Sequence, residues 1–156
     1  MKIYLSKKSN YVKAVTIFSA VLLVSLATLS VLNNETYSLI GGIIISLIMF
    51  GIMFYFYSKS LRKVIIDKNE MILKKNIGKI VIPISEIEAI YRLESSNLPM
   101  TSGSMGVFGF IGNTMDNSIC MVNDRKNMIK VVTTKDEKYI FSVRNPKHLV
   151  EHLDLP

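Results

Sequence analysis

Residues that usually carry chemistry are scarce in this chain of 156. A single cysteine, Cys120, excludes a disulfide framework and every multi-cysteine metal site. Only two histidines occur, His148 and His152, spaced i, i+4. A zinc site needs a third protein ligand and usually a fourth, and Leu149 stands where an H-E-x-x-H motif has its glutamate, so the pair reads as boundary-face histidines. No Ser/His/Asp set is recognisable and no carboxylates are spaced as an acid–base pair, so nothing nominates an enzyme or calls for a cofactor. Tryptophan is absent, and no stacking motif accompanies the lysines. The isoelectric point near 9.5 therefore does not point to nucleic acid as a partner.

Charge is missing from two long runs. Ala14–Leu32 holds 19 uncharged residues and Thr36–Ser58 holds 23, and the mean hydropathy of the whole chain is +0.34. About 20 helical residues cross a hydrocarbon core of roughly 30 Å, so each run is long enough to span a bilayer. Nineteen apolar residues exceed a signal-peptide core, and no A-x-A-like site precedes Asn33, which favours an uncleaved span. Asn33, Asn34 and Glu35 are then the tip of a helical hairpin, with Tyr37, Tyr55 and Tyr57 at its interfacial ends. No acidic residue precedes Glu35, whereas Lys2, Lys7, Lys8 and Lys13 precede the first run and Lys59, Arg62 and Lys63 follow the second. By the positive-inside rule both termini face the cytoplasm, giving a two-span protein of the plasma (cytoplasmic) membrane. No ionisable residue interrupts either run, which argues against a transporter or pump. Ser38, Gly42 and Ser46 form a small-residue stripe for helix packing, either within the hairpin or against another copy.

Residues 59–156 carry 15 of the 19 Lys and Arg and 11 of the 12 Asp and Glu. Short runs of branched and aromatic residues alternate there with turn residues. Seven strands are expected, beginning near Lys63, Met71, Lys79, Ile87, Ser118, Met128 and Lys138, with Tyr139, Phe141 and Val143 on one face. Asn145 and Pro146 then open a short helix that puts Leu149, Val150 and Leu153 on one side and Lys147, Glu151 and Asp154 on the other. Tight turns between such strands predict antiparallel pairing, and the whole describes a pleckstrin-homology-like (PH-like) architecture.

The stretch Gly106-Val107-Phe108-Gly109-Phe110-Ile111-Gly112 resembles the G-x-F-G-[FY]-x-G signature of a bacterial PH-domain family, whose members commonly carry N-terminal membrane helices. The resemblance runs over roughly residues 60–153 and continues through Asn123 and Ser142-Val143-Arg144-Asn145-Pro146. It implies a binding or scaffolding module without enzymatic chemistry. The expected fold is thus an α+β membrane protein. Residues 1–13 are a basic N-terminus, 14–58 a transmembrane helical hairpin (14–32 and 36–58), and 59–156 a PH-like seven-stranded antiparallel β-barrel or sandwich with a C-terminal α-helix.

Residues 95–117 read as an unusually long loop with Asp116 its only charge. Gly103, Gly106, Gly109 and Gly112 recur every third residue, as backbone positions needing unusual dihedrals or close approach. Together with Phe108, Phe110 and Ile111 they form a candidate interaction loop. Its aromatic residues plug one end of the barrel, pair with another subunit, or dip into the bilayer surface. Lys59, Arg62 and Lys63 are candidate membrane-surface residues. Lys68, Lys74, Lys75 and Lys79 gather around the first two hairpin turns and read mainly as a solvated face. Cys120 reads as a small buried hydrophobe. The function expected is a non-catalytic interaction module held at the cytoplasmic leaflet. Its partners are the lipid bilayer, another copy of itself or a membrane protein. The rival reading is an accessory or regulatory subunit of a membrane complex, such as a transporter or stress-response system.

Overall fold

A computed structural model describes residues 1–32, 36–93 and 98–153, the side chains of residue 31 and residues 36–39 excepted. Asn33, Asn34 and Glu35 of the expected tip, the Ser38 and Tyr37 side chains, Ser95 at the start of the expected loop, and Asp154 lie outside the described residues.

Two long helices, α1 (Asn10–Leu32) and α2 (Thr36–Lys59), form from the two uncharged runs. Helix α1 starts one turn before the run does, because the Ser9 hydroxyl accepts the Val12 amide at 3.3 Å and satisfies one of the free donors of a helix start. Among the described residues of both helices only Val12 is buried. Phe18, Leu29, Leu47 and Phe50 are among many large apolar side chains left exposed. Both helices are long and apolar enough to cross a membrane.

The rest is β-rich and closes on a C-terminal helix. Strands β1 (Lys2–Leu5), β2 (Leu61–Ile66), β3 (Glu70–Lys75) and β4 (Lys79–Pro83) make one antiparallel sheet in sequence order. Strands β5 (Ile87–Leu93), β6 (Met100–Met105), β7 (Phe110–Thr114), β8 (Ile119–Val122), β9 (Met128–Thr133) and β10 (Lys138–Ser142) make a second, in the order β5-β9-β10-β8-β7-β6. Helix α3 (Pro146–His152) follows, with Pro146 in its first turn; Asn145 holds the N-cap position, but its side chain makes no capping bond.

Three expectations are corrected. The described strands number ten rather than seven, and they lie in two separate sheets, which fits the sandwich form of the expectation and not the closed barrel. The chain's first residues contribute β1, which pairs with β2, and the expected loop contains the β6–β7 hairpin. Pairing is also not uniformly antiparallel: β8 and β10 run parallel. A parallel pair needs a crossover, and β9 supplies it, pairing antiparallel with β10 on its way back.

Alternation along the central strands divides the apolar residues between two cores. Met121, Ile129, Val131, Tyr139 and Phe141 face the first sheet and α3, meeting Val64, Met71, Leu73, Leu149 and Leu153. Cys120, Val122, Met128 and Ile140 face the other way, where they bury Phe110 and the helix residue Val12. Buried on both faces, β10 reads almost continuously apolar.

Candidate functional site

The β6–β7 hairpin is built around two glycines in register. Gly103 lies opposite Gly112, with φ of +117° and +153°. A Cβ added to Gly112 would meet the Ser102 carbonyl oxygen at 1.9 Å, and one added to Gly103 would meet that of Ile111 at 2.0 Å. No side chain fits either position, so the backbones cross in contact. At the tip, the Gly106 amide donates to the Gly109 carbonyl at 3.1 Å.

That tip lies between the ends of the two long helices. Phe108 holds a left-handed backbone (φ +59°), costly for a bulky residue, and both its backbone groups are bound. Its amide donates to Thr16 Oγ1 of α1 at 2.9 Å, and its carbonyl accepts from Ser60 Oγ, just after α2, at 2.8 Å. Its ring meets Tyr57 edge-on at 5.4 Å, with the Lys8 ammonium 4.9 Å from the ring centroid. Burial pushes the Lys8 pKa down. Gly106 packs against Tyr11 and Val15 of α1. Phe110 points elsewhere: it is buried, stacked on Tyr11 at 6.0 Å, with the Arg125 guanidinium 5.3 Å away. Ile111 is buried too. The two phenylalanines therefore diverge, and with the sheets unclosed there is no barrel end for both to plug.

Asn123, fully buried, ties this junction together. Its side-chain nitrogen donates to the Leu61 carbonyl at 2.7 Å and to Ser6 Oγ at 2.9 Å; its side-chain oxygen lies 3.2 Å from Ser60 Oγ. Its carbonyl accepts the Ser9 amide at 2.9 Å, and its own amide donates to Ser142 Oγ at 2.8 Å. One residue thus joins the segment entering α1, the segment leaving α2, and strand β10. A buried polar network so fully satisfied fixes relative orientation, because each bond is directional.

A second attachment closes the end of α2. The Asn76 side chain donates to the Tyr57 carbonyl at 3.0 Å and the Ile77 amide to that of Ser58 at 3.0 Å. The β3–β4 turn thereby satisfies carbonyls that a helix terminus leaves open.

The remaining sequence candidates are scattered. Lys59 lies over Tyr55 (5.6 Å to the centroid), Arg62 is exposed and Lys63 half-buried; none has a carboxylate partner among the described residues. Burial and the nearby Lys59 both push the Lys75 pKa down. Lys68 sits beyond the opposite end of β3 from Lys75 and Lys79, so the four hairpin lysines are not one cluster. Of the stripe, Gly42 lies against Ser30 of α1, where an added Cβ would fall 2.0 Å from Ser30 Oγ; Ser46 is half-buried. The two histidines part company: His152 Nδ1 is 3.1 Å from Lys2 Nζ of β1, whereas His148 gives that strand only its carbonyl, which accepts from Tyr4 at 3.3 Å, and lines a groove with Arg92, Asn127 and Arg144. Cys120 is buried, and that burial pushes its thiol pKa up to about 12. Burial opposes ionisation of Asp116, but hydrogen bonds from Lys130, Thr114 and Ser118 outweigh it and hold the carboxyl well below its usual range. No group of three His, Cys, Asp or Glu suited to a metal ion occurs among the described residues.

Thr16, Ser60 and Asn123 carry the junction, yet the sequence marks them only faintly. Their one signal is position: a hydroxyl early in one apolar run, another just past the end of the second, and an amide closing a buried strand.

Comparison with known proteins adds one finding: residues 62–155 match a family described as bacterial PH domain, a stretch that includes the glycine tip and Asn123. No curated protein and no solved structure matches the chain.

Proposed function

The chain belongs to the bacterial PH domain family, and on that premise we propose that it is a non-catalytic, membrane-anchored interaction module. In this reading α1 and α2 lie in the bilayer and the β domain sits at the cytoplasmic leaflet, presenting its surface to protein partners, to further copies of itself or to lipid headgroups. The observation that carries it is the junction: a β domain fastened to the same end of two exposed apolar helices by Phe108, Asn123 and the β3–β4 turn. Apolar helices with their side chains turned outward favour lipid as solvent. Lys2, Lys7, Lys8, Lys59, Arg62 and Lys63 all flank the end where the β domain lies, which supports the cytoplasmic side.

Fastening differs from tethering. A flexible linker would leave the domain free to turn, whereas three attachments fix which face meets the membrane. Confinement to two dimensions then raises the effective concentration of any partner in the same leaflet.

Photo-crosslinking in native membranes from the exposed positions Met115 and Tyr91 tests the reading. Discrete protein adducts, identified by mass spectrometry, are expected from at least one position; their absence from both counts against a protein-binding module. The rival reading, a regulatory subunit docking through the small-residue stripe, needs Gly42 free for a partner helix. Its contact with Ser30 favours packing within the hairpin. Gly42→Leu is accordingly expected to loosen the hairpin itself, seen as faster proteolysis of the isolated protein in detergent.

A further inference from the structure

An apolar cleft of about 290 Å³ runs between α1 and α2, walled by Ala20, Leu23, Val24, Phe50, Met53 and Phe54 and closed toward the β domain by Tyr57 and Phe108. Its lining offers no polar group, and its size is at the low end of small-molecule sites, roughly 300 Å³ and upward. The closing ring is also the one beneath the Lys8 ammonium. Lys8 is half-buried and has no carboxylate partner among the described residues. A desolvated cation normally comes with an anion, yet no acidic residue lies among the first 34 of the chain. At the end of α2, burial and the neighbouring Lys59 both push the Lys75 pKa down. The foot of the hairpin thus pairs an apolar slot with an uncompensated cation over the ring that closes it.

We propose that this slot holds one acyl chain of an anionic phospholipid whose phosphate pairs with Lys8. The occupant follows from both ends of the site. A free phosphate uses the cation but not the slot, and a zwitterionic lipid uses the slot but brings its own cation to Lys8. The proposal rests on the membrane reading above and deepens it. The bound lipid fills the seam beside Phe108, so it braces the contact through which the β domain is oriented.

The test uses the full-length protein in nanodiscs of equal phosphatidylglycerol and phosphatidylcholine, extracted into mild detergent for native mass spectrometry. One retained phosphatidylglycerol is expected, favoured about fivefold over phosphatidylcholine, the ratio given by one cation worth on the order of 1 kcal/mol near an anionic lipid. Lys8→Ala brings the ratio near one, while Lys7→Ala leaves it unchanged and controls for general charge. Ala20→Phe, which fills the slot, lowers retention of both lipids. Equal retention by the unmodified protein, a preference that survives Lys8→Ala, or displacement by millimolar glycerol 3-phosphate overturns the proposal. Alkaline carbonate separates the two failures: a protein that stays in the membrane but shows no preference defeats this inference alone, and a protein released by the wash defeats the membrane reading with it.

Discussion

The core between the sheets and the junction at the foot of the hairpin are both buried, but they are held by different forces. The core is apolar: Phe141, Met71, Leu73, Ile129 and Leu149 meet there without a hydrogen-bonded side chain among them. Burial of that kind is strong and non-directional, so it sets whether the β domain folds. The junction is polar: Thr16, Ser60 and Asn123 make directed bonds to backbone groups. Each contributes little, but together they set where the folded domain points relative to the helices.

Phe141→Ala strikes the core and has the largest expected effect. A fully buried phenylalanine cut to alanine costs about 3–5 kcal/mol, so the β domain is expected to lose its thermal transition while the helices keep their far-ultraviolet signal. Asn123→Ala strikes the junction. It leaves the Leu61 carbonyl without its donor, at about 1–3 kcal/mol. Amide exchange is expected to rise at Ser6, Ser9 and Ser60 well before the core responds; uniform acceleration through Phe141 would erase the distinction between the regions. Thr16→Val is a finer probe, removing one hydroxyl at about 1 kcal/mol. It should release the Phe108 amide alone.

The smallest effect concerns acid. The Asp116 pKa is depressed in the folded protein, so its contribution is complete above the unfolded value near 4 and fades as pH falls through the folded one. The side chain is 43% exposed, so solvent screening keeps that contribution small. Asp116→Asn should therefore lower stability slightly at neutral pH, with the difference vanishing in acid, so that the acid limb flattens. A large loss at neutral pH would mean that Asp116 belongs with the junction in importance.

The same contrast explains what was legible in the sequence. Helices α1 and α2 announce themselves by missing charge, and β2 to β5 and β8 to β10 by alternation, because those signals are local. Strand β1 spans four residues and gains its place by pairing with β2, about sixty positions away. Strand β6, Met-Thr-Ser-Gly-Ser-Met, has a single branched residue, Thr101, and no apolar alternation; it forms because Gly103 and Gly112 let two backbones touch. The glycine spacing does betray special backbone, and all four residues of the series take positive φ. Nothing local, however, tells that Phe108 turns to Tyr57 and Lys8 while Phe110 turns to Tyr11, Val12 and Cys120. Asn123 is legible as the end of a strand but not as the meeting point of four segments, since its partners lie 19 to 117 positions away.

Cysteine labelling in intact cells tests the membrane placement most directly, because the buried Cys120, with a thiol pKa near 12, gives a silent background. With a membrane-impermeant maleimide, the Asn34→Cys variant is expected to label in intact cells. The Ile77→Cys variant, in the turn that caps α2, is expected to label only after lysis. Labelling of the Ile77→Cys variant in intact cells would contradict a β domain locked to the cytoplasmic end of two membrane-spanning helices.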